Sequence, residues 1–126
     1  MTIGSTAQSI AFVNVTDRSR GVAFYRDVIG LDLLSSDGFG DVFAIGGAKL
    51  RLTAMPDYKP SGHPALGWEV ADLTAAMAAL TGRGIEFIIY PGFGQDSQGI
   101  WTSPDNSVKL AWFADPDGNV LMLSST

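Results

Sequence analysis

Near the end of the chain, apolar and polar residues alternate with a period of two, the signature of strands with one buried face. Residues 108–124 predict a strand, a tight turn and a second strand. In the second of these, Leu121 and Leu123 share one face, while Val120, Met122 and Ser124 share the other. Asp115-Pro116-Asp117-Gly118 supplies the turn. The Asp side chain accepts from the turn backbone, Pro presets φ near −65°, and Gly tolerates the positive φ that a type I turn with a G1 bulge requires.

The same period marks Ile10–Val15, with Ala11, Val13 and Val15 on one face and Ile10, Phe12 and Asn14 on the other. Asp17 stands where a helix N-cap belongs, and residues 21–28 carry apolar side chains at near-helical spacing up to the stop at Gly30. Strands are predicted over 31–35, 42–45 and 49–53, with Gly46-Gly47 as the turn before the last. There Leu50 and Leu52 oppose Lys49, Arg51 and Thr53. Residues 56–64, rich in Pro and polar side chains, predict a linker. A strand then alternates Leu66, Trp68 and Val70 with Ala65, Gly67 and Glu69, putting Trp68 in the core. Asp72 caps a helix over 73–80, and strands follow over 85–90 and, more loosely, 99–102.

The pattern repeats. Val15-Thr16-Asp17 recurs as Val70-Ala71-Asp72, and Gly30-Leu31 as Gly84-Ile85. Gly47 with Leu50-Arg51-Leu52 recurs as Gly118 with Leu121-Met122-Leu123. Cap, helix stop and final hairpin return in the same order. This predicts an α+β fold of two tandem βαβββ modules, the second with a Gly-rich insertion over 91–106. Residues 1–126 are read as a single domain, with module one at 9–55, a linker at 56–64 and module two at 65–126.

Composition narrows the function. A net charge of −5 disfavours nucleic acid, whose binding needs Lys and Arg on phosphates. The absence of cysteine excludes thiolate catalysis, disulfides and Cys-ligated zinc. No apolar run reaches membrane-spanning length and no signal-peptide pattern is present, so a cytoplasmic protein is expected. Phosphate-binding, dinucleotide, nucleophile-elbow and H-E-x-x-H motifs are all missing.

The repeat, together with Ala23-Phe24-Tyr25-Arg26-Asp27-Val28-Ile29-Gly30-Leu31 and Phe113-Ala114-Asp115-Pro116-Asp117-Gly118-Asn119, resembles the vicinal-oxygen-chelate superfamily. That group holds glyoxalase I, extradiol dioxygenases, fosfomycin-resistance enzymes and bleomycin-binding proteins. The resemblance implies a curled, cup-shaped mixed sheet with helices outside and the ligand inside. In metal-dependent members, His, Gln and Glu on the first and last strands of each module hold a divalent cation. The matching positions here are Ile10, Arg51, Ala65 and Met122. Two have no donor, Arg repels a cation, and a thioether suits soft Cu(I), so no metal and no cofactor are expected.

The resemblance also makes the cup-facing residues candidates for binding. Phe12, Trp112 and Met122 fall on that face, Phe93 and Trp101 come from the inserted segment, and Arg51 replaces a metal ligand. Such a lining suits a flat apolar or amphipathic molecule. The expected function is therefore metal-free sequestration of a small aromatic or amphipathic compound, in the manner of the bleomycin-resistance branch. A homodimer is implied by that analogy. No catalytic residue is assigned. The alternatives are a lyase, isomerase or transferase using non-standard residues such as Arg51, His63 or Glu69, or a non-standard metal site, and a structural or regulatory module whose cup is filled by its own side chains.

Overall fold

The computed structural model describes Thr2–Thr126 and divides into two compact units, the first ending at Tyr58 and the second running from Lys59 to Thr126. Each unit holds one four-stranded mixed sheet. In the first, β1 (Ile10–Val15), β2 (Leu33–Ser36), β3 (Gly40–Ile45) and β4 (Ala48–Ala54) are ordered β1-β4-β3-β2. In the second, β5 (Pro64–Glu69), β6 (Trp101–Thr102), β7 (Lys109–Ala114) and β8 (Val120–Ser125) are ordered β5-β8-β7-β6. In both sheets the first strand pairs parallel with the last, and every other pairing is antiparallel. The repeated topology is that of two βαβββ modules in an α+β fold.

Each sheet buries one face against a helix. A short α1 (Ile3–Thr6), which the sequence pattern does not announce, precedes β1. In the first unit α2 (Arg18–Ala23) continues as a π-helix over Phe24–Ile29, so the predicted single helix over 21–28 has two windings. Asp17 caps α2 as expected, accepting from the Arg20 N–H at 3.1 Å. Val13, Val15, Phe43, Leu50 and Leu52 of the sheet are buried with Phe24 and Tyr25 of the helix. In the second unit Asp72 caps α3 (Leu73–Thr81) through the Ala75 N–H. Leu73, Met77 and Leu80 are buried, as are Ala111, Phe113, Leu121 and Leu123 of the sheet. Trp68, opposite Leu123 in the ladder, has the predicted parity and is partly buried.

The closing hairpin matches its sequence pattern. The Asp115 carboxylate accepts from the Asp117 and Asn119 N–H groups at 2.9 Å, and Gly118 has φ 87°. Asn119, fully buried, donates from Nδ2 to the other Asp115 oxygen at 2.8 Å.

The strand predicted over 85–90 is absent from the ladder. One backbone bond, Ile88 N–H to Trp112 O at 2.8 Å, ties the segment to β7. Its alternation of apolar residues reflects side-chain packing, as in the Phe87–Phe113 contact at 5.6 Å between ring centroids. The Gln95 amide does much of the rest. Its Oε1 accepts from Tyr90 N–H at 2.7 Å, and its Nε2 donates to Ile88 O at 2.9 Å and Gly99 O at 2.8 Å. The strand position next to β7 belongs to β6, only two residues long.

Candidate functional site

Register in the second sheet brings Gly67, Met122 and Trp112 side by side on β5, β8 and β7, on the face away from α3. A Cβ at Gly67 would sit 3.0 Å from Met122 O, so the close approach of β5 and β8 leaves little room for a side chain there. Trp112 is 7 % exposed, although its face of the sheet is not the helix-packed one. Two rings, one just before the inserted segment and one within it, cover it. Tyr90 and Phe93 meet Trp112 edge to face at 5.7 and 5.6 Å, and lie 5.5 Å from each other. Phe93 N–H donates to Tyr90 O at 3.1 Å, which closes the turn that presents both rings.

These residues wall a cavity of about 400 Å³. Tyr90, Phe93, Trp112 and Met122 form one part of its lining, and Gly62, His63 and Pro64 the other. Phe93 is 51 % exposed, so an aromatic face is open to a ligand. A wider groove of about 740 Å³ runs along α3 past Met77, Ile85 and Phe87, on the helix side of the sheet. It gathers no comparable cluster of rings.

Of the residues singled out in the sequence, Phe93, Trp112 and Met122 come together here. Trp101 shares their sheet face through its pairing with Leu110 but is not part of the cavity wall. Phe12 and Arg51 belong to the first unit, where they are direct neighbours across β1 and β4. Phe12 is 67 % exposed and Ile10 52 %. The Arg51 guanidinium donates to both Asp37 carboxylate oxygens at 3.0 and 3.1 Å. His63 is exposed but lines the cavity, and Glu69 is exposed beside Ser124. Tyr90 was not singled out. Its signal is Tyr90-Pro91-Gly92-Phe93, two aromatics bracketing a Pro-Gly turn.

The four positions at which metal-dependent relatives present donors do not suit a divalent cation. Ile10 is an exposed alkane, Arg51 is tied to Asp37, and Met122 offers a thioether. A register shift between Pro64 and Leu66 bulges the β5 edge at Ala65, which has no donor in any case. Among the described residues, no group of three or more His, Asp or Glu side chains is arranged to hold a metal ion.

The family model described as the Glyoxalase/Bleomycin resistance protein/Dioxygenase superfamily matches residues 3–123. The chain belongs to that superfamily. Its glyoxalase-type fold recurs in TnmS3, an antibiotic-binding protein from Streptomyces sp. CB03234, at 25 % identity and TM-score 0.72 over 95 % of both chains. FosX, a fosfomycin resistance protein from Listeria monocytogenes, aligns at 12 % identity and TM-score 0.74, covering 96 % of this chain and 93 % of its own. A superfamily member from Sphaerobacter thermophilus aligns at 20 % identity and TM-score 0.73, covering 96 % of this chain and 98 % of its own. No curated protein sequence matches the chain at a significant level. Among the described residues, no helix is long and apolar enough to cross a membrane.

Proposed function

We propose that this glyoxalase-superfamily chain binds a small aromatic or amphipathic molecule without a metal, sequestering it rather than transforming it. The observation that carries the reading is the Tyr90–Phe93–Trp112 cluster beside Met122 in an open, mostly apolar cavity. Rings held edge to face by their neighbours present a rigid surface, so stacking a planar ligand costs little side-chain entropy. The likeness to an antibiotic-binding protein supports sequestration. Phe12, Arg51 and Trp101 remain proposed ligand contacts. The modules at 9–55 and 65–126 are proposed to act as one domain, in a cytoplasmic homodimer. The exposed Ile10 and Phe12 on the first sheet are the surface proposed to meet the second copy.

Two titrations test the reading. Tryptophan fluorescence should be quenched, saturably, by members of a panel of planar aromatic compounds. Calorimetry with Mn²⁺, Zn²⁺, Ni²⁺ and Fe²⁺ should detect no tight site. Micromolar metal binding that confers turnover would favour an enzyme instead, and a panel with no binder would leave a purely structural module.

A further inference from the structure

His63 stands apart from the other polar side chains of the cavity. Gly62 and Pro64 bring no side-chain donor or acceptor, and Met122 brings only a weak acceptor. Tyr90 and Trp112 carry an O–H and an N–H, but both belong to the ring cluster with Phe93, on the other part of the lining from His63. His63 hydrogen-bonds through its backbone, N–H to Ser61 Oγ at 3.2 Å, and its imidazole makes no hydrogen bond among the described residues.

Strand order fixes where this histidine lies. It immediately precedes β5, β5 flanks β8, and β8 flanks β7. His63 therefore lies on the β5 side of the cavity and is offset along that strand, since Gly67 and not His63 stands beside Met122, with Trp112 beyond. Two strand spacings, about 10 Å, separate β5 from β7, and the offset of His63 along β5 adds to that, so two fused aromatic rings fit between His63 and Trp112. No Asp, Glu, Lys or Arg lines the cavity, so an ionised ligand would lose hydration without a partner.

We infer that the cavity selects uncharged, fused-ring aromatic molecules bearing a hydroxyl or carbonyl oxygen at one edge, and that His63 is the residue that reads that oxygen. Neutral imidazole can accept from a hydroxyl and donate to a carbonyl, so either group is served. The inference rests on the aromatic-site reading given above.

The test compares naphthalene, naphthol and naphthoate at mildly alkaline pH. Affinities are read by Trp quenching for the unmodified protein, His63→Ala and His63→Gln. The unmodified protein should bind naphthol roughly 3- to 10-fold more tightly than naphthalene, the range one net hydrogen bond supplies, with naphthoate weakest. His63→Ala should abolish the ratio between them, bringing naphthol to the level of naphthalene in the same variant. His63→Gln, which keeps a donor and an acceptor, should restore part of the preference. A naphthol preference that survives His63→Ala, or naphthoate binding most tightly, overturns the inference alone. Failure of all three compounds to bind overturns the aromatic-site reading and this inference with it.

Discussion

Trp112 and Met122 stand directly opposite each other on adjacent antiparallel strands, and both line the aromatic cavity of the second unit. The position that the family resemblance matches to a metal ligand is here a polarizable, uncharged thioether beside an indole. Met122→Leu preserves volume and polarity and should leave naphthol affinity within about twofold. Met122→Glu places a charge against the rings and should weaken binding by more than about tenfold. Equal affinities in the two variants would remove Met122 from the site.

Phe93 offers a separate test because it is half exposed. Truncation to Ala removes a stacking face and uncovers part of Trp112, so affinity should fall about tenfold with only a modest fall in melting temperature. A large drop in melting temperature at constant affinity would make Phe93 a structural ring.

Gln95 governs whether the rings are presented at all. Its amide holds Tyr90, Ile88 and Gly99 together through three hydrogen bonds. Gln95→Ala leaves part-buried backbone groups unpaired, a cost of about 1–3 kcal/mol. Amide exchange at Tyr90 should accelerate and ligand affinity should fall, both monitored by NMR. Unchanged exchange at Tyr90 would show that the loop is held by other means.

Acid should destabilise the fold through identifiable carboxylates. Burial raises the Asp41 pKa, but hydrogen bonds from Arg18 and Ser36 and the Arg18 charge outweigh it, so the net shift is downward. Arg18 Nε lies 3.0 Å from Asp41 Oδ2, and Asp41 is 3 % exposed. Hydrogen bonds from Ser107 and Ser103 lower Asp105 to about 2. A carboxyl with a lowered folded pKa adds stability above its unfolded value, near 3.9, and loses it as pH falls through the folded value. Melting temperature should therefore drop between about pH 4 and pH 2. Asp41→Asn should flatten part of that limb, and parallel curves for the two proteins would discount Asp41.

The first sheet supplies the last two predictions. Phe12→Asp should shift sedimentation velocity toward monomer if a second copy covers this face, whereas an unchanged profile would refute it. Arg51→Ala, which breaks an exposed ion pair, should change melting temperature little and weaken ligand binding if Arg51 touches the ligand.

Most of the fold was legible because each decisive signal is local. Asp17 and Asp72 cap helices, Asp115 and Gly118 build the hairpin, and the parity of Leu50, Leu52, Leu121 and Leu123 marks the buried faces. The segment over 85–90 misled because apolar alternation reports which side chains pack, not which backbones pair. Its carbonyl and amide groups are met partly by a side chain seven residues beyond Ile88, and no periodicity encodes that. The site was half legible for the same reason. Trp112 and Met122 follow from strand parity, but Tyr90 and His63 reach the cavity through loop geometry.

A wall braced by one glutamine, outside the ladder, has freedom that a strand lacks. Residues can be added, removed or exchanged around Tyr90 and Phe93 without shifting the register of β7 and β8, provided the amide bridge survives. The sheet then serves as an interchangeable base plate, and substitutions in that one arch would reshape the cavity without touching the ladder.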